Sequence, residues 1–60
     1  MKYREAKDLD EGTELVKKSD NEVLILQTKE LYGQHKIVRF NCLNSNNVSV
    51  SVFHNEVELK

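Results

Sequence analysis

Cys42, His35 and His54 are the side chains of this sequence that could ligate a metal ion. A structural zinc site takes three or four ligands such as thiolate and imidazole, and this set could supply three. However, Cys42 alternates with Val38 and Phe40, which is the pattern of a small apolar side chain on a buried strand face. His35 lies in a turn sequence and has no ligand-spaced partner. The sequence therefore predicts no metal site and no cofactor.

Nucleophilic catalysis is the second chemistry that these residue types allow, through Cys42 with a histidine or through Ser49 and Ser51 with His54. Such catalysis needs an aligned base, an orienting acid and an oxyanion site. No local motif places these groups, and the two serines alternate with valines as solvent-facing strand positions do. We predict that the protein is not an enzyme and that it has no catalytic residues.

The elements that position these residues are mostly strands, separated by turn sequences roughly every ten residues. In the third strand Val38, Phe40 and Cys42 share one face, and in the fourth Val48, Val50 and Val52 do so. This alternation predicts one buried and one solvent-exposed face. The predicted strands cover residues 14–18, 22–31, 36–42, 48–52 and 56–59.

The connecting segments are assigned from turn and helix chemistry. Residues 19–21 and 44–47 are rich in Ser, Asp and Asn, which favour turns. Gly33 is expected to adopt a left-handed conformation in the turn over residues 32–35. We interpret residues 6–9 as one helical turn that anchors Leu9 in the core, and we expect residues 2–4 to extend along the sheet edge.

The opening AKDLDEGTELVKK (residues 6–18) resembles the opening of small bacterial and phage barrels of the Src-homology-3-like (SH3-like) type. The ending HNEVEL (residues 54–59) is similar to the helical turn and last strand that close such barrels. The resemblance implies an all-β fold, a small five-stranded SH3-like barrel with a short N-terminal helical turn. It extends over most of the chain as a pattern and assigns no named family.

Two departures from that resemblance bear on function. The chain has no tryptophan and no aromatic-rich opening motif, so it lacks the stacking surface that polyproline recognition requires. The KOW-type relatives bind RNA or ribosomal partners through a basic loop after the glycine, whereas acidic residues occupy this region here. Nucleic-acid binding through Lys29, Lys36 and Arg39 is therefore an alternative that the net charge of −1 disfavours.

Length and composition restrict the number of domains, the cellular compartment and the relation to membranes. Sixty residues predict a single domain spanning residues 1–60, near the lower limit for folding without a disulfide, a metal ion or oligomerisation. One cysteine excludes a disulfide within the chain and fits a reducing compartment. The longest apolar run, residues 23–26, is too short to span a bilayer. We expect a soluble, cytoplasmic protein with no membrane partner.

The remaining candidate for function is an interaction surface. Ile37, Arg39 and Phe53 are expected on the outer face of the third and fourth strands, together with Leu43. Apolar residues among polar ones are typical of an interface, although barrel curvature or the N-terminal segment would also explain them. We predict a non-enzymatic protein-interaction module, an accessory or regulatory protein of bacterial or phage origin. Its expected partner is an unknown protein, bound by this face or by an exposed strand edge, with homodimerisation a further option.

Overall fold

Strands dominate the computed structural model, which describes residues 1–60. Strong period-two alternation accounts for the central strands, because successive side chains point to opposite faces of a sheet. The strands are β1 (Glu14–Lys17), β2 (Val23–Tyr32), β3 (Ile37–Leu43), β4 (Ser49–Phe53) and β5 (Val57–Leu59). A short helix, α1 (Tyr3–Ala6), precedes them, and a 3₁₀ helix (His54–Glu56) separates β4 from β5.

The strands form one antiparallel five-stranded sheet in the order β4-β3-β2-β1-β5. The predicted all-β class and the number of strands are confirmed. No pairing joins β4 to β5, so the sheet is open and these two strands are its edges. The register of β2 against β3 shifts between Leu26 and Thr28, and such a bulge bends a strand and increases its twist.

The core lies on one face of the sheet, and the predicted positions Val38, Phe40 and Cys42 are all buried there. Val52 is also buried, whereas Val50 is only partly buried. Val48 was expected on the buried face, but it is 54% exposed because it precedes β4 at the end of the hairpin. The other buried residues are Ala6, Leu15, Leu24, Leu26 and Val57.

The N-terminal segment is helical earlier than the sequence indicates. The carbonyl of Lys2 accepts a hydrogen bond from Ala6 N–H at 3.0 Å, so the helix begins where an extended edge was expected. This start buries the small Ala6 side chain completely, which supplies the packing that so short a helix needs. Leu9 packs against the core as predicted, although it lies beyond the helix.

The turns use asparagine and lysine where left-handed backbone is needed. Asn21 and Asn47 have φ angles of 60° and end the predicted turns. The prediction for Gly33 is wrong, because Lys36, at φ 54°, adopts the left-handed conformation instead. Lys36 immediately precedes β3, so the left-handed residue is the last residue of the turn. No helix of the chain is both long and apolar enough to cross a membrane.

Candidate functional site

The candidate surface is the outer face of β2, β3 and β4, opposite the core. In its middle row Glu30 lies opposite Arg39, and Arg39 lies opposite Phe53. Asn41 lies in the next row, between Thr28 on β2 and Ser51 on β4. Antiparallel neighbours on one face have Cβ atoms about 5 Å apart, so these side chains are within reach of one another.

The polar side chains of this face form a hydrogen-bonded network. The Asn41 Nδ2 group donates to Thr28 Oγ1 at 3.0 Å and to Glu30 Oε1 at 3.2 Å. The Ser51 hydroxyl donates to Asn41 Oδ1 at 2.9 Å, and Arg39 Nη2 donates to Ser51 Oγ at 3.3 Å. Each side chain therefore orients the next. We call these five residues the polar network.

Glu30 is the only carboxylate of the polar network, and its neighbours favour its charged form. Hydrogen bonds from Asn41 and from the Tyr32 hydroxyl, the latter at 2.9 Å, hold the pKa of Glu30 below its ordinary value, and the Arg39 charge adds to the effect. Arg39 Nη1 lies 3.9 Å from Glu30 Oε1. An exposed pair at this distance contributes little stability, which leaves the guanidinium available to another carboxylate.

Apolar side chains border the polar network at the end of β3 nearest the 3₁₀ helix. Tyr32 lies opposite Ile37, and Phe53 is 48% exposed. Ile37, Phe53, His54 and Asn55 line a cleft of about 120 Å³. This volume is below the range of small-molecule sites, so the cleft is suited to one side chain of a partner. We call Tyr32, Ile37 and Phe53 the apolar rim.

The structure brings three of the four predicted surface residues together. Ile37, Arg39 and Phe53 adjoin one another, whereas Leu43 lies at the opposite end of β3, paired with Ile25. The N-terminal segment leaves the outer face uncovered, since Ala6 and its neighbours pack against the core. Ile37 and Leu43 are nonetheless half-buried.

The basic residues of the alternative function are largely engaged within the fold. Lys29 Nζ donates to the backbone carbonyl of Lys7 and, at 2.7 Å, to that of Leu9. Lys36 Nζ lies 5.9 Å from the centre of the Tyr3 ring, within cation–π distance. The bulge in β2 explains the position of Lys29, because it reverses the alternation and directs this side chain toward the core face.

The residues considered for metal binding and catalysis are held apart. Cys42 is buried in the core, and burial raises the pKa of its thiol to about 11. His54 Nδ1 accepts the backbone N–H of Val38, while His35 lies in the exposed turn before β3. No three of the His, Cys, Asp and Glu side chains converge on a common point.

The alternation of the third strand places Asn41 on the outer face with Arg39, but sequence reasoning did not identify Thr28 and Glu30 of β2 as parts of the site. The sequence carries a signal for them, because Thr28, Glu30 and Tyr32 occupy alternate positions of β2. However, the bulge determines whether these three side chains point toward the core or toward the outer face. Comparisons of the chain with protein-family models, with curated proteins and with solved structures gave no match.

Proposed function

We propose that the chain is a non-enzymatic protein-interaction module that binds a partner protein through Ile37, Arg39 and Phe53. The observation that carries the proposal is the position of the Arg39 guanidinium, which belongs to the polar network and lies next to Phe53 of the apolar rim. Aromatic and arginine side chains dominate the binding energy of many interfaces. The hydrogen bonds of the network also reduce the entropy that these side chains would lose on binding.

The chemistry of this surface specifies a partner with two features. A carboxylate of the partner would replace the distant Glu30 as the ligand of the Arg39 guanidinium, in the bidentate geometry that arginine favours. A small apolar side chain would enter the cleft beside Ile37 and Phe53. The partner segment is therefore expected to be acidic and to carry an aliphatic residue near its acidic group.

An SH3-like barrel is the architecture that we propose for this module. The strand order supports it, as do the 3₁₀ helix before β5 and the bulge that bends β2. In this proposal the sheet is a barrel that remains open between β4 and β5. The buried free thiol of Cys42 is consistent with a reducing, cytoplasmic setting, and a bacterial or phage origin follows from the sequence resemblance alone.

Nucleic-acid binding has less support. Of its three expected basic residues, Lys29 donates to two backbone carbonyls and Lys36 lies over the Tyr3 ring, so Arg39 alone would meet a phosphate. A net charge of −1 offers little of the counterion release that drives association with phosphate backbones. We retain this function as the outcome that would replace the proposal.

A peptide-display selection tests the proposal. The immobilised chain would select from a random peptide library, and enriched peptides would then be titrated against variants. We expect acidic peptides whose affinity falls at least tenfold with Arg39→Ala and with Phe53→Ala. Leu31→Ala and Lys7→Ala are matched controls, because Leu31 is similarly exposed and neither residue belongs to this face.

Two results would overturn the proposed function. One is a set of peptides that bind Arg39→Ala and Phe53→Ala as tightly as the wild type. The other is binding of a fluorescent single-stranded oligonucleotide that weakens with salt and with Arg39→Ala. The second result would assign the alternative function.

A further inference from the structure

The outward edge of β4 carries backbone groups that have no strand beside them. Asn44 N–H donates to the carbonyl of Val48 at 3.1 Å, which sets the phase of hydrogen bonding between β3 and β4. In an antiparallel ladder alternate residues bond to the neighbouring strand, so Val50 and Val52 face β3 and Ser49 and Ser51 face outward.

The Glu56 side chain confirms this alternation of hydrogen bonding, and it reduces the number of unpaired backbone groups at the edge of β4. Its Oε1 atom accepts the backbone N–H of Phe53 at 2.8 Å, which requires that N–H to point away from β3. The capped Phe53 amide cannot pair with another strand. The N–H and C=O groups of Ser49 and Ser51 are the ones that remain at the middle of the edge.

The edge also lacks the features that usually prevent strand pairing. Residues 47–53, NVSVSVF, contain no charge and no proline, whereas natural edges are commonly protected by charged residues, proline or bulges. The opposite edge, β5, is shorter and carries Glu58, which pairs with Lys18 at 4.0 Å. Of the two edges, β4 is therefore the one that can more easily accept another strand.

We propose that β4 pairs with β4 of a second copy of this chain, antiparallel and with Val50 opposite Val50. In this register Ser49 of each copy lies opposite Ser51 of the other, and the two residues exchange both backbone hydrogen bonds. Every free group at the middle of the edge gains a partner, and the Glu56 cap stays intact. This self-complementarity about a two-fold axis favours a second copy over an unrelated strand.

Side chains on the core face support the same register. Val48 is 54% exposed and Val50 is partly buried, and both lie on the core side of β4. In the paired sheet Val48 lies opposite Val52 of the second copy, which extends the core across the junction. The two-fold axis is perpendicular to the sheet, so both outer faces point in the same direction. The inference does not depend on the proposed function, since it uses the backbone groups at the edge of β4 and not the side chains of the outer face.

Cysteine cross-linking tests the register. Residues opposite each other in a non-hydrogen-bonded pair have Cα atoms about 4.5 Å apart, within the range of a disulfide. In a Cys42→Ala background, which removes the thiol that lies opposite Val50 on β3, Val50→Cys is therefore expected to form a disulfide-linked dimer with oxidised glutathione. Val48→Cys is the matched control, because its two copies would be offset by four residues, roughly 13 Å along the strands. Both cysteine variants carry Cys42→Ala, and the wild type, whose only thiol is the buried Cys42, reports background oxidation.

Sedimentation tests the pairing without a covalent bond. We expect the wild type to pass from monomer to dimer as its concentration approaches the millimolar range. Ser49→Pro removes an outward N–H at the first residue of an edge strand, a position that tolerates proline, and it should abolish the dimer. Ser49→Ala keeps that N–H and should preserve the dimer. Circular dichroism would establish that both variants are folded.

Three results would overturn this inference. The first is a wild type that stays monomeric at millimolar concentration. The second is a dimer that persists unchanged in folded Ser49→Pro and in Val48→Lys, which places a charge beside the junction. The third is equal rates of disulfide formation by Val50→Cys and Val48→Cys. None of these results bears on the peptide selections described above.

Discussion

The imidazole Nδ1 of His54 accepts the backbone N–H of buried Val38 at 3.2 Å. In the register of β3 and β4, Val38 would lie opposite residue 54. The chain enters the 3₁₀ helix at this point, so the backbone carbonyl of His54 is not available to extend the ladder. The side chain replaces it and supplies the partner that a buried backbone N–H requires.

His54→Ala is therefore expected to lower the free energy of unfolding by about 1–3 kcal/mol, the cost of leaving a buried donor unpaired. Urea denaturation measures this change, and hydrogen exchange should be faster at the Val38 amide than in the wild type. His35→Ala is the control, since His35 is an exposed turn residue. Equal effects of the two substitutions would contradict this role for His54.

Lys29→Met should loosen the N-terminal segment. The substitution keeps an unbranched apolar stem but removes the ammonium group that binds the carbonyls of Lys7 and Leu9. We expect a loss of about 1 kcal/mol of stability, because these bonds are charge-assisted but partly exposed to water. Hydrogen exchange should be faster at residues 5–9 in particular. Lys7→Met is the control, and unchanged exchange in Lys29→Met would exclude the anchoring role.

The pKa of Glu30 provides a test of the polar network. Because this pKa is lowered on folding, ionised Glu30 contributes stability above its unfolded value, and the contribution is lost as pH falls through the folded pKa. Asn41→Ala removes the largest cause of the shift. A carboxyl NMR titration should then show the Glu30 pKa returning toward 4.5. No change in that pKa would show that the network is not formed in solution.

Cys42 should make folding sensitive to alkaline pH. The folded pKa of about 11 exceeds the reference value of 9.0, so the stabilisation is present below 9.0 and is lost as pH rises toward 11. Two pKa units correspond to roughly 3 kcal/mol, as an upper bound. Denaturation at pH 8 and pH 10.5 should show a smaller pH effect in Cys42→Ala than in the wild type. Rapid alkylation of the native thiol at pH 8 would contradict its burial.

The central strands could be predicted from sequence because their alternation is uninterrupted. Val38, Phe40 and Cys42 alternate with Arg39 and Asn41 along β3, and only one register buries all three apolar side chains. The same pattern brought Arg39 and Phe53 to one face. These features depend on local periodicity, which tertiary contacts did not alter.

Features set by tertiary packing could not be predicted in this way. The helix begins at Tyr3 because Ala6 fills a space in the core that no local pattern reveals. The bulge after Leu26 decides that Lys29 turns inward and Glu30 outward, and its position is fixed by pairing with β3. The contribution of Thr28 and Glu30 to the polar network was missed for the same reason.

The glycines offer a final test, since their roles differ from those that the sequence indicates. Gly12 has a φ of +91°, so Gly12→Ala should cost about 1–2 kcal/mol of stability despite open space around its Cβ position. Gly33 has no positive φ, and an added Cβ would meet only the Tyr3 hydroxyl at 3.5 Å, an ordinary contact. Gly33→Ala should be neutral or stabilising by up to about 1 kcal/mol, because it restricts the unfolded chain. Lys36→Gly should change stability little, because relief of the left-handed strain at φ 54° is offset by the greater freedom of the unfolded chain and by loss of the contact with the Tyr3 ring. Thermal denaturation of the three variants measures these changes. A loss of stability in Gly33→Ala as large as that in Gly12→Ala would show that Gly33 adopts a left-handed conformation.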